Sequence, residues 1–347
     1  MRIDRVSMGV FAAAAAVALG GCHAPRQGPA PFRIYATNET SGTLSVIDGT
    51  SLKVVATIPL GKRPRGLTPD PHGGGLIVTL SGSPVAPPGV DESALPPPDH
   101  AADGIGLYDI RHDRMDRVLR GVDNPEQVAV SARGVIYAPC EDHGSLVLID
   151  EASGGELTEL PIGDEPEGVA LSPDGKRVYV ALEGDDKLAV ADADAKRVLA
   201  RVPVGGRPRS VAVSRDGRRI YVTDETGRAL TVVDAGTLAV VATIVFPEPD
   251  AKPMGVALSP DGGRIYVTTG RGGRLVAIDA ARNAIVGSVA VGARPWGVAV
   301  SPDGRYLFTA NGPSDDVTVV AADRLAVVTK ITVGDRPWGV AVAPAAP

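Results

Sequence analysis

Residues 294–340 read RPWGVAVSPDGRYLFTANGPSDDVTVVAADRLAVVTKITVGDRPWGV, one period of a repeat that opens and closes on the same five residues. Between the two Arg-Pro-Trp-Gly-Val joints lie four short runs, Gly297 to Val300, Tyr306 to Thr309, Val317 to Val320 and Ala326 to Gly334. They are rich in β-branched residues and separated by turn signals, the pattern of four consecutive strands. Working outward, five related joints precede them, centred on Pro64, Pro125, Pro166, Pro208 and Pro253. Counting all seven prolines to Pro337, the spacings are 61, 41, 42, 45, 42 and 42. A period near 42 filled with strands predicts an all-β, seven-bladed β-propeller with one blade per repeat.

The two ends of the chain share one blade. Residues 33–61 supply three strands (Ile34 to Thr37, Leu44 to Ile47, Val54 to Ile58) without a first one, and the C-terminus supplies a first strand without the other three. Pairing Val340-Ala341-Val342 with Ile34 to Thr37 closes the ring and leaves no open sheet edge. Asp-Gly at 174–175, 216–217, 261–262 and 303–304 predicts tight hairpins in which both residues take positive φ. Asp48, Asp109, Asp150, Asp192, Asp234 and Asp279 each end a third strand. Six equivalent copies point to a structural task, capping the next turn through the side chain.

The first residues have a different character. Arg2 and Arg5 precede the apolar run Val10 to Leu19, which is too short to anchor in a bilayer and has the proportions of a secretory h-region. Leu19-Gly20-Gly21-Cys22 resembles a bacterial lipobox, so residues 1–21 are expected to be a lipoprotein signal peptide and Cys22 the acylated N-terminus. Each buried methylene of such acyl chains contributes about 0.8 kcal/mol. His23 after the cysteine favours sorting to the outer membrane, facing the periplasm, and residues 22–32 with three prolines read as a tether. The net charge of −6 argues against nucleic acid as a partner, and Cys140 is the only cysteine besides Cys22, so no disulfide framework is expected. Stability then has to come from the core of residues 33–343.

Function is sought where the repeat is broken. A 22-residue insertion, 82–103, carries six prolines, four acidic residues and no Lys or Arg; it lies between second and third strands, on the face of the joints. The joints themselves precede the innermost strands and ring the channel mouth. Arg63, Arg65, Arg294, Trp296, Arg336 and Trp338 come from three neighbouring blades, with Glu126, Glu165 and Glu167 across from them and Arg207, Arg209 and Lys252 between. Guanidinium groups beside the only two tryptophans suit an anion with a flat apolar part. The competing reading has the tryptophans wedged between blades and the arginines paired with nearby carboxylates. His100, Glu141 and His143 are secondary candidates for a metal, with nothing in the sequence to fix their spacing. No nucleophile elbow, Walker-type loop or Cys-x-x-Cys is present, and no cofactor is expected.

Tyr35-Ala36-Thr37-Asn38, Tyr221-Val222-Thr223-Asp224 and Tyr266-Val267-Thr268-Thr269 resemble the second strands of the YVTN family of seven-bladed propellers. With Ser45-Val46-Ile47-Asp48, Lys53 to Pro59, Gly61 to Gly66 and the terminal Arg-Pro-Trp-Gly-Val, the chain is similar to YncE-type exported proteins. In particular it is similar to propellers associated with pyrroloquinoline-quinone-dependent catabolism. The resemblance implies a monomeric, lipid-anchored binding or scaffold module for a protein or small anionic ligand, with quinoprotein (PQQ) dehydrogenases among possible partners. The alternative is a propeller enzyme of lactonase or lyase type with its site at the mouth, since the fold alone does not decide activity.

Overall fold

The computed structural model describes Met1 and residues 32–85 and 95–345. The expected signal peptide, Cys22 and nearly all of the tether lie outside the described residues, as do Pro87, Pro88, Asp91 and Glu92 of the insertion. Seven four-stranded antiparallel sheets follow one another. Blades 1 to 6 span residues 64–119, 129–161, 166–203, 208–245, 256–290 and 295–332. Blade 7 joins Pro337–Pro344 to Phe32–Asn38, Thr43–Asp48 and Lys53–Pro59. The closing register pairs Ile34 with Val342, Tyr35 with Ala341 and Ala36 with Val340, as the sequence predicts.

Middle strands are buried on both faces, which is why they read as nearly unbroken apolar runs. Ile34 and Ala36 face blade 6, packing with Phe308, Ala310 and Val317, whereas Tyr35 faces blade 1, packing with Leu76, Val78 and Tyr108. Successive side chains of one strand thus enter two different inter-blade cores, a direct use of the period-2 alternation.

The joint motif is explained by main-chain contact between blades. Thr37 Oγ1 accepts from Gly339 N–H of its own blade at 2.9 Å and donates to Arg65 C=O of the next at 2.6 Å. Thr268 does the same between Gly255 N–H (2.9 Å) and Trp296 C=O (2.5 Å), and Thr223 between Ser210 N–H (2.9 Å) and Met254 C=O (2.7 Å). The joint glycine is forced by this approach. A Cβ at Gly168 would lie 2.4 Å from Arg209 O, and one at Gly255 2.4 Å from Trp296 O.

All six strand-ending aspartates cap turns, for example Ser51 N–H to Asp48 Oδ1 at 2.7 Å and Ser153 N–H to Asp150 Oδ1 at 2.8 Å. The Asp-Gly hairpins differ from expectation. Only the glycines take positive φ (Gly175 67°, Gly217 71°, Gly262 72°, Gly304 72°). Gly175 N–H bonds Ser172 C=O at 2.8 Å, and Asp174 Oδ1 accepts from Ser172 Oγ at 2.6 Å and Lys176 N–H at 3.1 Å. The serine two residues earlier therefore fixes a wider turn in which Asp174 keeps an ordinary backbone.

Candidate functional site at the channel mouth

Six of the seven residues that precede a joint proline have left-handed φ: Arg63 37°, Asn124 43°, Glu165 45°, Arg207 50°, Arg294 48° and Arg336 54°. For a non-glycine residue this costs on the order of 1–2 kcal/mol each, and such strain gathers at functional sites. A recurring bond holds it. Five of the six carbonyls, all but that of Arg294, accept the N–H of the residue that follows the same blade's second strand, as in Glu183 to Glu165 O (2.9 Å), Glu225 to Arg207 O (3.0 Å) and Glu39 to Arg336 O (2.9 Å). That residue is a glutamate in four blades, Glu39, Glu141, Glu183 and Glu225.

All of these positions except Glu225 line a cavity of about 420 Å³ whose wall includes all eight sequence-predicted residues, Arg63, Arg65, Arg207, Arg209, Arg294, Trp296, Arg336 and Trp338. Ser83, Pro84 and Val85 and Leu95 to Pro98 of the insertion form part of its wall. Both ends of the insertion are pinned: Arg63 donates to Ser83 O at 2.8 Å, Lys62 pairs with Asp99, and Gly82 N–H bonds Asp103 Oδ1 at 2.5 Å. A larger surface cleft of about 690 Å³, around Asp261, Asp303 and Asp323, belongs to the hairpin turns of blades 5 and 6 and gathers no comparable set of groups.

The arginines divide into two classes. Arg65 is buried and pairs with Glu126, with Glu39 3.5 Å and Glu141 3.9 Å away. Arg209 pairs with Glu167, Glu183 and Glu225, the last at 2.8 Å. Arg63 pairs with Glu39 at 2.9 Å and Arg207 with Glu183. Burial opposes the Arg209 charge, but Glu167 and Glu225 outweigh it and its pKa is raised. Burial likewise opposes the Glu39 charge, and Arg65 and Arg63 outweigh it, holding that carboxyl below its usual range. These four arginines and their glutamates are largely self-neutralised.

Arg294 and Arg336 are not. Among the described residues Arg294 has no carboxylate within 4 Å, and Arg336 reaches only Glu39, at 4.0 Å. Burial and then the charge of Arg336 lower the Arg294 pKa, so the two neighbouring guanidinium groups repel. Arg294 sits over the Trp296 ring at 5.2 Å and Arg209 over it at 5.9 Å. Trp296 stacks on Trp338 with ring centroids 5.4 Å apart and planes 25° apart. Trp338 is buried and Trp296 half-buried, so one tryptophan backs the other and only the front ring is presented. On the far side of the mouth, burial followed by Glu167 and Asp142 raises the Glu141 pKa against Arg65, and burial with Glu141 raises that of Glu165. The cavity is therefore basic and aromatic on one side and acidic on the other.

Sequence reading missed the glutamate ring at 39, 183 and 225. Its signal is the residue after the Tyr-x-x-Asn-like strand end, visible once the seven repeats are stacked. It also grouped Glu141 with the histidines. Glu141 instead faces the mouth, accepting from Asn124 Nδ2 at 2.7 Å, while His100 and His143 meet outside the cavity at Asp123, 3.7 and 3.1 Å away. Cys140 is buried and free, its thiol pushed up to about 12 by burial.

A model of the YncE-like β-propellers matches residues 116–301, more than half of the chain. The chain belongs to that family. No curated protein matches the sequence. Solved structures of similar fold include hydrazine synthase from Kuenenia stuttgartiensis, 21% identical over 87% of this chain and 98% of that one, with a TM-score of 0.71. They also include the periplasmic gluconolactonase of Pseudomonas aeruginosa, 21% identical over 91% and 100% with a TM-score of 0.73. A functionally unknown protein of Desulfotomaculum acetoxidans is 14% identical over 90% and 98%, with a TM-score of 0.73. At these identities the likeness is one of fold.

Proposed function

We propose that this YncE-like propeller is a non-catalytic binding module, held on the periplasmic face of the outer membrane through a lipid on Cys22. Its mouth would capture a small organic anion, or an anionic group of a protein, that carries a flat aromatic part. The observation that carries this reading is the Arg294–Arg336 pair. Two neighbouring guanidinium groups, Arg294 with no carboxylate within 4 Å among the described residues and Arg336 with only Glu39 at 4.0 Å, lie beside a half-buried tryptophan; they lose repulsion when a carboxylate enters, and the ring offers a stacking surface. The glutamate-paired Arg63, Arg65, Arg207 and Arg209 hold the walls. The pathway-level resemblance suggests quinoprotein dehydrogenases as the protein partners.

Tryptophan fluorescence tests this directly, because Trp296 and Trp338 are the only tryptophans. Titration with benzene-1,2,4-tricarboxylate should quench or shift the emission saturably, gluconate should do so far less, and Arg294→Gln should weaken the aromatic anion by tenfold or more. Equal responses to both anions, or an unaltered affinity in the variant, would refute it.

A second reading rests on Glu141 and Glu165. Two neighbouring carboxyls with raised pKa values opposite cationic groups suit an acid and base pair. A gluconolactonase is among the proteins of similar fold. Hydrolysis of glucono-δ-lactone above the spontaneous rate, lost in Glu165→Gln, would favour this reading over the first.

A further inference from the structure

We propose that His100, Asp103, Asp123 and His143 form a binding site for a first-row divalent metal of the zinc class, which staples the insertion to blade 2. The four residues come from three separate stretches: the C-terminal end of the insertion, the loop leading to the blade 2 joint, and the loop after that blade's second strand. Folding alone brings them together. His100 Nδ1 lies 2.9 Å from Asp103 Oδ2 and 3.7 Å from Asp123 Oδ1, and His143 Nδ1 lies 3.1 Å from Asp123 Oδ2. Zinc binds nitrogen and carboxylate oxygen at about 2.0–2.2 Å in a tetrahedron, whose edges are then roughly 3.3–3.5 Å by geometry. The His100–Asp103 and His100–Asp123 separations bracket that edge, and the ligating atoms of His100, Asp103 and Asp123 all lie within 4.8 Å of one another; His143 stands outside that group of three and reaches it through the other oxygen of Asp123, so a small imidazole rotation completes the set.

The chemistry of the donor set selects the ion. Two imidazoles and two carboxylates suit zinc and its transition-metal neighbours, whereas calcium and magnesium take oxygen ligands. Asp103 is a prepared ligand. Its side chain is fully buried, its Oδ1 accepts from Gly82 N–H at 2.5 Å, and Arg120 holds its carbonyl at 2.6 Å, so Oδ2 is fixed towards His100. Metal-binding carboxylates are commonly oriented by such bonds. The two imidazoles, with side-chain exposures of 51% and 59%, leave the ion a route in from solvent.

Position gives the site its consequence. Asp123 adjoins Asn124, and His143 adjoins Asp142, both of which line the mouth. Asn124 Nδ2 bonds Asp142 Oδ1 at 3.0 Å. A metal here ties the wall made by the insertion to the loops carrying the acidic side of the cavity.

The full-length protein, prepared without a histidine tag, would be titrated calorimetrically with zinc chloride, and with calcium and magnesium chlorides for comparison. One equivalent of zinc should be lost or weakened at least tenfold in the His100→Gln/His143→Gln double variant. It should persist in His72→Gln, which alters a separate Asp70–His72–Glu151 cluster. Both histidines are exposed, so metal-free unfolding of the double variant should match the parent and exclude misfolding. Zinc should also slow proteolytic cutting within residues 82–103 of the parent and not of the double variant. Absence of zinc binding, equal binding by the double variant, or binding that leaves the cutting rate unchanged would overturn the proposal.

Discussion

Asp224→Asn isolates one buried carboxyl whose proton the fold retains. Asp224 ends the second strand of blade 4, is fully buried, and has its pKa raised to about 7, chiefly by burial against the opposing bonds from Thr231 and Gly205. The folded carboxyl therefore holds its proton between the ordinary value of 3.8 and about 7, while the unfolded chain releases it. A folded pKa raised in this way makes stability fall as pH climbs through that window and stay low above it. About three units at ~1.4 kcal/mol each put the cost near 4 kcal/mol at pH 8.5. The blades supply the remedy. At the equivalent position Asn38 donates to Ser45 Oγ at 3.0 Å and Asn311 to Thr318 Oγ1 at 2.9 Å, just where Thr231 now donates to Asp224 at 2.7 Å. An amide at 224 can donate to Thr231 and still accept the Gly205 N–H, now 3.1 Å away. Urea unfolding followed by circular dichroism should show the variant more stable by about 2–4 kcal/mol at pH 8.5 and within ~1 kcal/mol of the parent at pH 4.5. A variant no more stable at pH 8.5, or one shifted equally at both pH values, would refute the argument.

Deleting residues 338–347 removes the buried Trp338, Val340, Ala341 and Ala343 and bares the Phe32–Asn38 edge. The truncated chain should lose several kcal/mol, because contacts at one interface of a repeat ring are lost together; an unchanged melting temperature would contradict closure. Trp338→Ala should cost about 3–5 kcal/mol as a large buried side chain, while Trp296→Ala should cost less than half of that and act mainly on aromatic-anion binding, read by paired unfolding and fluorescence titrations. Cys22→Ser should abolish globomycin-sensitive maturation and move the protein out of the membrane fraction; unaltered processing would remove the lipid anchor from the proposed function.

The architecture was legible because each device that builds it recurs. Proline joints, strand-ending aspartates and Asp-Gly turns appear in several copies, and a repeated residue exposes its structural role; the single unpaired strand at the C-terminus stood out against them. The eight mouth residues were legible for the opposite reason, as variations at a position that otherwise repeats. What escaped was pairing. Nothing in the sequence separates Arg65 and Arg209, locked among glutamates, from Arg294 and Arg336, because the glutamates sit on other stretches of chain. The wider Asp-Gly turns escaped because Ser172, Ser214, Ser259 and Ser301 take the aspartate side chains for themselves. Asp103 counted only among the acids of the insertion and Asp123 was not singled out, since the insertion length conceals that its end returns to the next blade.

At four of the joints the contact between neighbouring blades, threonine hydroxyl to carbonyl, is made by the main chain on the joint's side. The side chains on either side of each proline are spared that duty. The more exposed of these positions, such as Arg207, Arg294 and Arg336, can thus change identity without breaking the hydrogen bonds that hold the ring, whereas Arg65, Glu126 and Trp338 are buried in its walls. Selection can rewrite what this mouth holds, blade by blade, on a scaffold that need not be renegotiated each time. A library confined to those more exposed sites would sample new ligands at little risk to folding.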